Sequence, residues 1–154
     1  MYFEDLILRI EVLDSGESDI FTTEELERFE HQHGCLLPID YKDFCCTLGT
    51  GQFGDYMRVF CPRAENLREA SKILRRSLER FQENRNNPSV STEISGIVDF
   101  SLFFGMNPNG QVIVWDSRTY SESDHCYDIY LIPLDYWNKV HFIGRKFCDF
   151  IEDL

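Results

Sequence analysis

Two helices with a glycine stop and a proline restart between them are written into one stretch, Phe21 to Asp55 (FTTEELERFEHQHGCLLPIDYKDFCCTLGTGQFGD), and they leave this chain few ways to fold there. Thr22 followed by Glu25 is the pattern of a capping box, in which each side chain accepts the other residue's backbone N–H. Phe21 before the cap and Leu26 at the fourth helical position are the pair expected of a hydrophobic staple. Glu24, Glu25 and Glu27 suit the positive end of the helix dipole. Leu26, Phe29 and His33 share a face, with Glu30 at its border and His33 near the helix end. Gly34 is the stop, able to take the left-handed conformation after the last turn. Pro38 then opens a second helix, since its missing N–H would have no partner in a first turn anyway. Tyr41, Phe44, Cys45 and Leu48 form the buried stripe of that helix. Gly49, Gly51 and Gly54 break it, and Asp55 to Cys61 (DYMRVFC) alternates enough to predict a strand.

Around this stretch the pattern continues as helices first and strands later. Phe3, Leu6, Ile7, Ile10 and Leu13 predict a helix over Tyr2 to Leu13, followed by an acidic loop over Asp14 to Asp19. Ala64 to Glu83 predicts a long helix with Leu67, Ala70, Ile73, Leu74, Leu78 and Phe81 inward and Arg68, Lys72, Arg75, Arg76 and Arg80 outward. Ile97 to Phe104 and Gln111 to Asp116 predict two strands joined by the turn Asn107-Pro108-Asn109-Gly110. Ser117 to Asp124 predicts a polar loop, Tyr127 to Ile132 a strand stopped by Pro133, and Asn138 to Phe142 a short last strand. Ile143, Phe147, Phe150, Ile151 and Leu154 fit a closing helix. Strands clustered as hairpins argue an α+β fold with a largely antiparallel sheet flanked by helices. Helices packed on one side are the simplest way to bury the aromatics. No repeat, linker or low-complexity tract divides the chain, so residues 1–154 are expected to form one domain.

Charge narrows the choice of partner. The 154 residues carry 27 acidic and 15 basic side chains, a net charge of −12. The balance is −9 over residues 1–62, +3 over residues 63–88 and −6 over residues 89–154. Such a field repels nucleic acid and anionic membrane and attracts basic partners. The start, MYFEDLILRIEVLD, is acidic where a secretory signal would be basic. No apolar run approaches the ~18 residues of a membrane helix. The six cysteines (Cys35, Cys45, Cys46, Cys61, Cys126 and Cys148) therefore read as reduced small hydrophobes of a cytoplasmic protein.

Catalytic and metal patterns are weak. A cysteine hydrolase needs a thiolate and a histidine base. Cys61 with His125 or His141 is available, but no nucleophile-specific motif surrounds any cysteine. His31, His33 and Cys35 are spaced by two, which on a helix points neighbours off any shared face. Asp99, Asp116 and Asp128 flank strands, where turn and solvated roles are the ordinary ones. Trp115, on an apolar strand, reads as core. No cofactor and no enzyme activity are expected.

The run Glu30…Gly34-Cys35-Leu36-Leu37-Pro38-Ile39-Asp40-Tyr41-Lys42-Asp43-Phe44, followed by Gly49-Thr50-Gly51, resembles the SUKH superfamily, in the branch named for the fungal Knr and Smi cell-wall regulators. Phe103-Phe104-Gly105 through Asn107-Pro108-Asn109-Gly110 to Val112-Ile113-Val114-Trp115-Asp116 is similar to that family's second landmark, a strand ending in phenylalanine-glycine, a turn and an apolar strand. A C-terminal helix over Phe142 to Leu154 also fits. Gly49 stands where the family usually has Asn, and Thr50 where it has Gly. The resemblance implies a sheet flanked by helices and, for bacterial members, an immunity protein that binds and neutralises a toxin without catalysis. The fungal members imply the alternative, a regulatory protein–protein interaction module. The acidic field joined to this resemblance implies a basic, nuclease-type toxin domain whose substrate groove the protein occupies by mimicking phosphates. The candidate contacts are Asp14, Glu17 and Asp19 in the first loop, Asp55 after the glycines, and Tyr120, Glu122 and Asp124 in the late loop.

Overall fold

The computed structural model describes residues 20–54, 56–62, 92–134 and 140–154, together with Phe3, Lys72, Arg76, Glu79, Arg80 and Glu83. Its sheet has six strands, β1 (Gly51–Phe53), β2 (Met57–Val59), β3 (Ser101–Met106), β4 (Gln111–Ser121), β5 (Cys126–Pro133) and β6 (His141–Gly144). They lie side by side in that order, each antiparallel to the next. Helices α1 (Thr23–His33), α2 (Ile39–Thr47), α3 (Thr92–Asp99) and α4 (Phe147–Glu152) complete an α+β architecture.

The start of α1 forms as its sequence requires. Glu25 N–H donates to Thr22 Oγ1 at 3.2 Å, and Thr22 N–H donates to Glu25 Oε2 at 2.8 Å. Gly34 ends the helix at φ 61°. The His33 ring packs on Phe29 with centroids 4.3 Å apart. Glu30 then clamps the turn into α2, accepting Leu37 N–H at 2.6 Å and pairing with Lys42 Nζ at 3.2 Å. After α2, Gly49 at φ 72° redirects the backbone. Thr50, where the family pattern has glycine, uses its hydroxyl to accept Cys61 N–H at 3.0 Å. The glycine exit is itself strand β1, so the single strand expected over Asp55 to Cys61 is the second arm of a short hairpin.

Side chains alternate across the sheet. On one face Met57, Val59, Phe104, Ile113, Trp115, Tyr127 and Ile129 meet Leu26, Phe29, Tyr41, Phe44, Phe147 and Ile151 of α1, α2 and α4. Trp115 and Phe104 stack at 3.9 Å in the middle of this aromatic core, and Phe3 joins it against Phe44 and Phe147. On the other face Phe103, Val112, Val114 and Ile132 are covered by Ile97 and Val98 of α3. Helices therefore cover both faces, a correction to the one-sided packing expected.

Three boundaries also shift. Ile97 to Asp99 belong to α3 and not to a strand, because Ile94, Ile97 and Val98 present the three- and four-residue spacing of a helical face. β4 runs on to Ser121, through much of the expected polar loop. It does so with a wide irregularity between Asp116 and Ser121, where Thr119 Oγ1 accepts Asp128 N–H at 2.8 Å in place of a backbone carbonyl. The last strand lies at His141–Gly144, so Ile143 is on β6 and outside the closing helix. The helix expected over Tyr2 to Leu13 lies outside the described residues apart from Phe3. Of the long basic helix, Lys72, Arg76, Glu79, Arg80 and Glu83 are helical and exposed, and the rest lies outside the described residues.

Candidate functional site

Tyr120, Glu122 and Asp124 are brought together where β4 turns into β5. Ser121 pairs with Cys126, so residues 122–125 form the tip, and all four are exposed. The composition Glu-Ser-Asp-His favours such a turn because short polar side chains bond locally to the backbone. Ser121 and Ser123 hydroxyls lie 2.9 Å apart. The Ser121 hydroxyl holds the Asp124 carboxyl below the usual aspartate range, helped by Arg145 and resisted by partial desolvation. Arg145 Nε lies 3.7 Å from Asp124 while its Nη1 donates to Asp128 Oδ1 at 2.5 Å, fastening the tip to the sheet.

His125 closes the turn at φ 52°, a left-handed conformation that costs a side-chain-bearing residue roughly 1–2 kcal/mol. Its Nδ1 is 2.9 Å from the Tyr120 hydroxyl. The Tyr120 ring packs 5.0 Å from Tyr127, whose hydroxyl donates to the Leu36 carbonyl at 2.5 Å. Burial pushes the Tyr120 hydroxyl pKa up, and the charges of Glu30, Glu122 and Asp124 add to the rise. The tip is thus a braced hairpin end with acidic side chains outward and a tyrosine at its base. The sequence offers His125 only as a base for a cysteine and gives no sign of Arg145 at the tip. The bracing role of the first depends on a backbone angle, and the second follows β6, distant in sequence from the tip. Asp14, Glu17, Asp19 and Asp55 lie outside the described residues.

Asp116, Asp128 and the cysteines sit in paired or at least partly buried surroundings. Asp116 and Asp128 face each other in the ladder, but each has its own arginine. Asp116 is buried and takes Arg118 by two side-chain bonds, Nε at 2.9 Å and Nη2 at 2.6 Å. They are two separate ion pairs, not a dyad sharing a proton. Burial raises the thiols of Cys35, Cys45 and Cys46 above their ordinary value. Cys126 is pushed up to about 11, by burial first and then by Asp40 and Asp124. A nucleophilic cysteine needs the opposite shift. Among the described residues no group of three or more His, Cys, Asp or Glu side chains is arranged to hold a metal ion, and no helix is long and apolar enough to cross a membrane.

The model of the SMI1 / KNR4 family (SUKH-1) matches residues 20–153. The chain belongs to the SMI1 / KNR4 family. No curated protein and no solved structure matches it.

Proposed function

We propose that this protein is an immunity protein, which binds and neutralises a toxin without catalysing a reaction. Its membership of the SMI1 / KNR4 (SUKH-1) family carries the reading. The net charge of −12 supports a basic, nuclease-type toxin domain as the partner, and a single cytoplasmic domain suffices for the task. The braced β4–β5 tip supplies the contact: Tyr120 as an aromatic anchor, with Glu122 and Asp124 standing in for the phosphates of the toxin's substrate. Asp14, Glu17, Asp19 and Asp55 extend the acidic surface in this proposal. The raised thiols and the separately paired aspartates favour binding over catalysis.

The test is co-expression with the toxin domain encoded beside this gene. Wild-type protein is expected to restore growth. Glu122→Lys with Asp124→Lys is expected to slow association about tenfold, as charge reversal at a steered interface does. Equal killing with and without the protein would overturn the reading. Capture of a signalling or wall-synthesis protein, with no toxin gene adjacent, would replace it with a regulatory interaction module.

A further inference from the structure

The turn between α1 and α2 holds two large apolar side chains in water. Leu36 is 50% exposed and Ile39 is 49% exposed, while Leu37 and Pro38 between them are buried. The segment is tied down on three sides. Leu37 N–H donates to Glu30, the Leu36 carbonyl accepts the Tyr127 hydroxyl, and Asp40 accepts Cys148 N–H at 2.9 Å. Leu36 and Ile39 are therefore presented from an anchored backbone, at most about 11 Å apart along the chain.

This turn adjoins the acidic tip. Tyr127 bridges them, its hydroxyl on Leu36 and its ring beside Tyr120. A protein interface of ordinary size buries about 800 Å² per partner, and the contact inferred below takes in both. Together they have the anatomy of a binding surface, with apolar anchors at the centre and charge at the rim. Arg145, beside the tip, is already engaged by Asp124 and Asp128, and among the described residues no ion pair takes up Glu122. The other exposed apolar pair, Phe142 and Ile143 on edge strand β6, has no acidic residue within its strand and has Lys146 two residues beyond it. That edge suits a basic partner poorly.

We propose that the α1–α2 turn and the β4–β5 tip form one docking surface for a basic protein, with Leu36 and Ile39 as its apolar anchors and Glu122 and Asp124 as its steering rim. The toxin's identity as occupant rests on the immunity reading; the surface itself does not. Two arms separate them. In the first, the protein is titrated with a synthetic peptide of alternating lysine and leucine, followed by backbone amide shifts. Shifts at Leu36, Ile39, Tyr120 and Glu122 are expected, and Leu36→Ser with Ile39→Ser is expected to weaken binding at least about tenfold, or roughly 1.4 kcal/mol. Both sites are exposed, so the variant should keep the wild-type melting temperature, and Phe142→Ser serves as the control. No binding, shifts confined to His141–Gly144, or an unchanged affinity in the serine variant overturns the proposal. In the second arm the neighbouring toxin domain replaces the peptide. If it fails to bind wild-type protein while the peptide footprint stands, the immunity reading falls and the surface remains. If it binds wild type and the serine variant equally, the surface falls and the immunity reading remains.

Discussion

Cys148 sits at the second position of α4, where the helix dipole should draw a thiol toward the thiolate. The reverse holds. Burial, then the carboxylates of Asp40 and Asp149, push it up to about 12. Its ordinary value is 9.0, so the folded state favours the neutral thiol. That contribution is fully present below pH 9 and is lost as pH climbs through the folded value. Cys126 acts in the same sense toward about 11, and Tyr127 toward about 12 from 10.0. Two outcomes follow. Iodoacetamide at neutral pH should leave the native protein's intact mass largely unmodified over the time that labels the urea-unfolded chain fully. The melting temperature should fall as the buffer is taken from pH 8 to pH 10. Rapid labelling of one cysteine would point to an activated thiol instead. The sequence allowed the cysteines to be read as small hydrophobes. It did not reveal the Asp40 carboxylate beside Cys148, because Asp40 comes from a distant helix.

That same aspartate organises elements. α4 has six residues, too few to hold together alone. Phe147 and Ile151 dock it on the aromatic core, and Asp40, buried in the first turn of α2, accepts the Cys148 N–H across 108 residues of sequence. Its other oxygen accepts Tyr41 N–H at 2.9 Å. Asp40→Ala leaves both donors without their acceptor and is expected to cost about 2–3 kcal/mol in urea unfolding, with faster hydrogen exchange at the Cys148 amide. Asp40→Asn keeps an acceptor and should cost about 1 kcal/mol. An alanine variant as stable as wild type would show that the aromatic contacts alone seat α4. At this scale the sequence was readable where local chemistry decides. The Thr22–Glu25 box, the Gly34 stop and the Asn107–Gly110 turn all form where their residue types require. It misled where tertiary contacts decide. Ile97 and Val98 are good strand formers placed at helical spacing. Arg118 and Thr119 look like loop residues until Asp116 and Asp128 hold them in β4. The tip was legible as acidic and turn-forming, but its bracing by His125 and Arg145 was not.

For the whole molecule the charge is the dominant fact. A net −12 on 154 residues repels itself when folded, and salt screens that repulsion with a Debye length of about 8 Å at 0.15 M. The free protein should therefore melt higher in 0.15 M salt than in 0.01 M salt. Its association with a basic partner should slow over the same range. A melting temperature that drops with added salt would mean that the native ion pairs, such as Asp116–Arg118 and Asp128–Arg145, outweigh the repulsion. The α+β class and antiparallel sheet were legible from the order of elements. Coverage of both faces was not, because α3 was hidden inside an apparent strand.

The spatial order of the strands, which repeats their order along the chain, has a kinetic consequence. From β3 to β5 each neighbour is reached through a short turn, so pairing costs little loop entropy and can begin early. β1 and β2 pair readily with each other. Joining that hairpin to β3 must wait until everything between Phe60 and Phe100 has been gathered in. The Asp40–Cys148 bond closes a still longer loop. Folding should thus proceed from the middle strands outward, with the helix pair at the front of the chain meeting α4 in the last step to acquire native contacts.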